Sequence, residues 1–136
     1  MKFARLVFGI AAVYGFVSLV PLYFMMGTIG RDAPPAITHA EFYYGFIGLG
    51  LLWQVLFLII AARPIRYRPI MLVAILEKFI YTMPVILLYC AGRVDQRIFA
   101  SSLVDPVFGI LFIIAYLRTR GVAFAPADRV WPSANQ

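Results

Sequence analysis

Four long stretches of this chain are nearly free of charge, and the ionisable residues collect between them. The apolar stretches cover about 3–27, 41–62, 69–90 and 98–118. Each is close to the roughly 20 helical residues that cross about 30 Å of hydrocarbon. The pattern predicts an all-α integral membrane protein: one membrane domain over 1–136, folded as a four-transmembrane-helix bundle with short loops and a polar tail at 119–136. Short loops make sequential helices antiparallel neighbours.

Within the helices the polar residues are few, and each one is therefore informative. In the first, Tyr14, Ser18, Pro21 and Met25 recur at three- and four-residue intervals, which gives one mildly polar seam and a kink at Pro21. The second carries a stripe of Tyr43, Ile47, Gly50, Gln54, Phe57 and Ala61. Gln54 sits deep in it and needs an internal partner, because an amide facing lipid leaves its donors and acceptor unmatched. The third, from Pro69 to Cys90, holds Glu77 and Lys78 side by side about two turns from its start. Ionisable groups at that depth cost several kcal/mol unless neutralised, paired or reached by water, so the other helices are expected to pack around this one. Tyr81 lies one turn beyond Glu77, within reach of its carboxylate, and Pro84 frees a backbone carbonyl. In the fourth, Asp105 followed by Pro106 reads as a cap and a first helical residue inside a continuous but irregular element, with Asp105 near the outer polar layer.

The connections add topology. Pro34 and Pro35 interrupt helix in the first loop, after which Thr38 and Glu41 have capping-box spacing. The second loop, RPIRYRP, holds Arg63, Arg66 and Arg68 and no acid. Those three arginines mark orientation and suit anionic headgroups, acting additively. Lys2, Arg5, Arg63, Arg66, Arg68, Arg118, Arg120 and Arg129 fall at one end of the helices, against Arg31, Arg93 and Arg97 at the other. This asymmetry predicts a multi-pass protein of the cell membrane, in a bacterium the inner membrane, with both termini cytoplasmic. The first apolar run, Leu6 to Met26, is about twice a signal-peptide core and lacks a prompt cleavage site, so it is read as a retained helix. In the tail, Trp131 suits the interface.

Composition narrows the classes further. With 63% hydrophobic and 13% charged residues and a mean hydropathy of +0.89, a soluble domain of 136 residues could not hide its apolar surface. The net charge of +6 belongs to helix ends, which argues for lipid headgroups and against nucleic acid. A single cysteine, Cys90, excludes an intrachain disulfide and a multi-cysteine metal site. No CxxC, HExxH, GxSxG or phosphate-loop pattern occurs, and neither metal nor cofactor is expected.

Counting residues inward from the basic end puts Glu77 at about 10 Å, Gln54 at about 12 Å and Tyr14 at about 16 Å. The expected ligand-binding cluster is therefore Tyr14, Gln54, Glu77, Lys78 and Tyr81, with Glu77, Lys78 and Tyr81 as candidates for chemistry. A second, outer cluster is expected at His39, Glu41 and Asp105. Three classes of function fit. The protein binds a lipid-like ligand or a membrane protein partner through the inner cluster, as a monomer or homo-oligomer. Alternatively, Glu77 is proton donor or acceptor in an enzyme acting on a lipid or isoprenoid, or the coupling site of a small oligomeric proton-coupled transporter.

Overall fold

The computed structural model describes residues 1–32 and 36–121. Pro34, Pro35, Arg129 and Trp131 lie outside the described residues, so the proline interruption, one of the eight basic charges and the interfacial tryptophan are expectations from sequence only. Among the described residues the chain is all helical, and four helices are long and apolar enough to cross a membrane. The first comprises α1 (Lys2–Leu19) and a 3-10 turn (Val20–Phe24), followed by the short α2 (Met26–Asp32). The others are α3 (Ala40–Ala62), α4 (Arg68–Cys90), and α5 (Gln96–Ser102) continued by α6 (Val104–Arg118).

The proline positions explain where the spans depart from regular helix. Pro21 has no N–H to offer the preceding turn, and the chain tightens there into the 3-10 segment where a kink is expected. The fourth span breaks only at Leu103, three residues before Pro106. Pro106 cannot donate to the carbonyl of Ser102, and the Thr82 hydroxyl of α4 accompanies that carbonyl instead, at 3.3 Å. The expected cap at Asp105 is corrected: the cap of the fourth span is Asp95, whose side chain accepts from the Arg97 N–H at 3.2 Å. Likewise α3 begins after His39 without a side-chain cap, so Thr38 does not form the anticipated capping box. The other end of α4 closes on Gly92 at φ +67, with the Arg93 N–H donating to the Leu88 carbonyl and the Gly92 N–H to that of Tyr89. This Schellman closure uses the one position among the described residues with a left-handed backbone.

The bundle is built from two closely packed pairs, α1 with α3 and α4 with α6, joined mainly through α1 and α6. The α3 stripe expected from sequence faces α1: the Tyr43 hydroxyl donates to the Leu22 carbonyl at 2.6 Å, and Ile47 and Phe57 are fully buried. At the centre, Phe8 stacks on Phe112 with ring centroids 4.0 Å apart, and Phe57 meets Phe112 edge-on at 5.1 Å. Three helices are thereby locked by aromatic packing, which is worth more than buried area alone. Helices α3 and α4 also touch, but far less closely than either of those pairs.

Candidate functional site

The most concentrated polar group inside the bundle is a triad that joins α4 to α6. Lys78 Nζ lies 2.8 Å from Asp105 Oδ1 and 3.1 Å from Glu77 Oε2, and it donates to Glu77 Oε1 at 3.4 Å. Its third direction is occupied by the Phe57 ring of α3, whose centroid is 5.1 Å away. Lys78 is ten residues inside α4, about 15 Å from the basic end, and Asp105 is thirteen residues before Arg118, about 20 Å from it. Both lie near the middle of spans long enough to cross a membrane.

Local packing dictates this geometry. On α4 the buried stripe is Met71, Ala74, Lys78, Thr82 and Val85, so the helical repeat turns Lys78 into the core. Gly109 of α6 lets the two backbones approach closely: a Cβ there would meet Phe79 at 2.8 Å and the Lys78 Cβ at 3.3 Å. Below the triad, the buried Thr82 hydroxyl lies 3.1 Å from the Lys78 carbonyl and 3.3 Å from that of Ser102. Ser102 in turn donates to the Phe99 carbonyl at 2.7 Å.

Exposure separates the members of the triad. The Lys78 side chain is 8% exposed, whereas Glu77 and Asp105 retain 21% and 28%. Glu77 Oε2 is buried and, although close to Nζ, receives no aligned hydrogen bond. Two carboxylates share one ammonium, so with both ionised the triad carries one surplus negative charge. Glu77 lies on the flank of α4 that Tyr81 occupies one turn later, and Tyr81 reaches α3 through Phe46 at 5.9 Å. This flank of the site therefore lies toward α3.

The structure divides the expected inner cluster. Glu77 and Lys78 are together, with Tyr81 alongside, although no Tyr81 hydrogen bond to Glu77 forms among the described residues. Gln54 is elsewhere. Its Nε2 donates to the Gly50 carbonyl of its own helix at 2.9 Å, and its amide fills the notch over Gly15 at the α1–α3 contact. Tyr14 is half-exposed and packs on Phe108 of α6, with ring centroids 5.7 Å apart. Equal depth brought these residues to one level but not to one face. The outer cluster is also corrected. His39 and Glu41 pair at 3.1 Å on the surface, while Asp105 turns inward because a buried ammonium is there to receive it. The Lys78–Asp105 link and the part of Thr82 were not expected from sequence; the cue was Lys78, a buried cation with one obvious carboxylate and capacity for another.

Two apolar grooves, of about 610 and 490 Å³, lie away from the triad. The larger runs along α1 from Arg5 to Ser18, and the smaller lies on α3 around Trp53. At the basic end, Arg68 lies over the Tyr116 ring at 4.7 Å and Arg118 over Phe3 at 4.5 Å. The start of α1, the loop before α4 and the end of α6 thus share one end of the bundle. No protein-family model matches this chain, and no curated protein or solved structure is detectably similar to it.

Proposed function

We propose that this is a small multi-pass protein of the cell membrane, with both termini cytoplasmic, that binds a lipid-like ligand at the Glu77 edge of the intramembrane triad. The observation that carries the reading is Glu77 Oε2, an acceptor buried without an aligned donor, beside a Lys78 whose three directions are already taken. An acceptor in that state favours a ligand bearing a hydroxyl or amide donor. The half-exposed Tyr81, one turn away, offers both an apolar ring and a second polar contact. The basic residues gathered at the end where Arg118 meets Phe3 support the cytoplasmic assignment of the termini. The enzymatic alternative, with Glu77 as proton donor or acceptor, has less support, because its assisting group Lys78 is already held by two carboxylates.

The surplus charge favours a second reading, proton-coupled transport. Net charge at mid-membrane is costly, and a proton on either carboxyl would neutralise the triad. Glu77→Gln separates these readings from a purely structural triad, since Gln keeps the shape but cannot hold or release the proton. Wild type and variant are purified in the same lipid and compared by thermal stability and native mass spectrometry. The expected result is a folded variant that loses an endogenous lipid-like ligand. Retention of every ligand, with only a stability change, would leave the triad a structural clasp. Loss of pH-driven flux in vesicles, with ligands retained, would favour the transporter.

A further inference from the structure

We infer a second site, independent of Glu77, at the basic end of the bundle: Arg68 and Arg120, converging on Tyr116, hold the phosphate of an anionic membrane lipid. The sequence places these arginines more than fifty residues apart, at the start of α4 and just past the end of α6. Folding brings both to one ring, Arg68 at 4.7 Å from the Tyr116 centroid and Arg120 at 6.0 Å. Two guanidinium groups on one aromatic ring repel each other. Among the described residues neither is in an ion pair, and Arg68 Nε is buried with no hydrogen-bond partner. Two guanidinium groups gathered around one ring favour an oxyanion with several acceptor oxygens, which matches the fixed donor fork of arginine.

The position identifies the source of the phosphate. Tyr116 is within the last turn of a membrane-length apolar helix, so its ring lies at headgroup level, with exposed Leu117 and Leu72 nearby in sequence on the two helices for acyl chains to cover. Arg63, by contrast, is exposed and has no aromatic partner among the described residues. The three loop arginines are therefore unequal, and Arg68 belongs with Arg120 more than with Arg63.

The test uses the full chain in detergent, with equimolar phosphatidic acid and phosphatidylcholine as probes, and reads retained lipid by native mass spectrometry. Wild type is expected to retain phosphatidic acid preferentially. Arg68→Gln and Arg120→Gln should each lower that preference about fivefold, the factor for one interfacial arginine, and Arg93→Gln at the other end should leave it unchanged. Arg68→Lys keeps the charge but not the planar stacking and should also lose most of the preference, which keeps the proposal testable if Arg68→Gln folds poorly. An equal loss in Arg63→Gln would overturn the site in favour of diffuse attraction. So would no preference in wild type. Displacement of phosphatidic acid by excess inorganic phosphate would show a site for free phosphate and overturn the lipid assignment, whereas lipid retained under that challenge supports it.

Discussion

Gln54 on α3 and Lys78 on α4 are both buried polar side chains within membrane-length helices, and the bundle handles them in opposite ways. Gln54 is closed off locally: it donates to its own helix and fills a notch left by Gly15 on α1. Lys78 is satisfied across helices, by Asp105 from α6 and by Glu77 beside it, with Phe57 of α3 covering the third direction. An amide carries no net charge and needs no countercharge, and Gln54 places one of its N–H donors on a carbonyl of its own helix. An ammonium needs countercharge, and here it has drawn in one carboxylate more than its own charge requires. Local closure gives a tight α1–α3 contact, whereas shared closure leaves Glu77 and Asp105 partly exposed.

The sharpest way to break this contrast is to remove each centre. Lys78→Met leaves two carboxylates without their cation and should cost about 3–5 kcal/mol, the range for breaking a buried pair from one side. The measurement is thermal unfolding in a fixed lipid, and adding Glu77→Gln and Asp105→Asn to Lys78→Met should recover most of the loss. Gln54→Leu should change stability by less than about 1.5 kcal/mol, because volume is conserved and no distant partner is orphaned. A Gln54→Leu effect as large as that of Lys78→Met would show that Gln54 has a second partner.

How much of this was legible follows from the same two residues. Spans are marked by the length of uncharged apolar sequence, a local property of the chain, so the four spans and their approximate ends could be read directly. Depth along the helix was legible for Glu77, Lys78 and Gln54, counted from helix ends, but not for Asp105, which was expected near the outer polar layer and meets Lys78 midway along its span. Azimuth was not legible. Which way a polar side chain turns depends on its neighbours on other helices, and Gln54 turned to Gly15 while Asp105 turned to Lys78. Asp105–Pro106 has the local form of a helix start, but a buried cation on α4 outweighed that local preference for the side chain.

A smaller effect tests the α1–α3 half of the comparison. Gly15→Leu forces a side chain into the space of the Gln54 amide and should destabilise by about 1–3 kcal/mol. Combining it with Gln54→Ala vacates that space, so the double variant should be more stable than Gly15→Leu alone. Simple additivity in thermal unfolding would mean that the two residues do not share the contact.

The smallest expected effect concerns the support beneath the triad. Thr82 accompanies both the Lys78 carbonyl of its own helix and the Ser102 carbonyl that Pro106 cannot satisfy. Thr82→Val keeps the shape and removes the donor, which should cost about 0.5–1.5 kcal/mol, the usual net worth of one hydrogen bond. If the cost arises from the stranded Ser102 carbonyl, it should shrink in a Pro106→Ala background, where the restored N–H supplies a donor within the fourth span. A double-mutant cycle on Thr82 and Pro106 measures this, with a coupling of roughly 0.5 kcal/mol or more expected for residues that share a partner. If Thr82→Val costs the same in both backgrounds, the hydroxyl acts through the Lys78 carbonyl alone, and the link between α4 and the break at Leu103 carries no energy. In the coupled case, Pro106 and Thr82 together fix the break at Leu103, two residues before Asp105, and so help to set where that carboxylate meets Lys78.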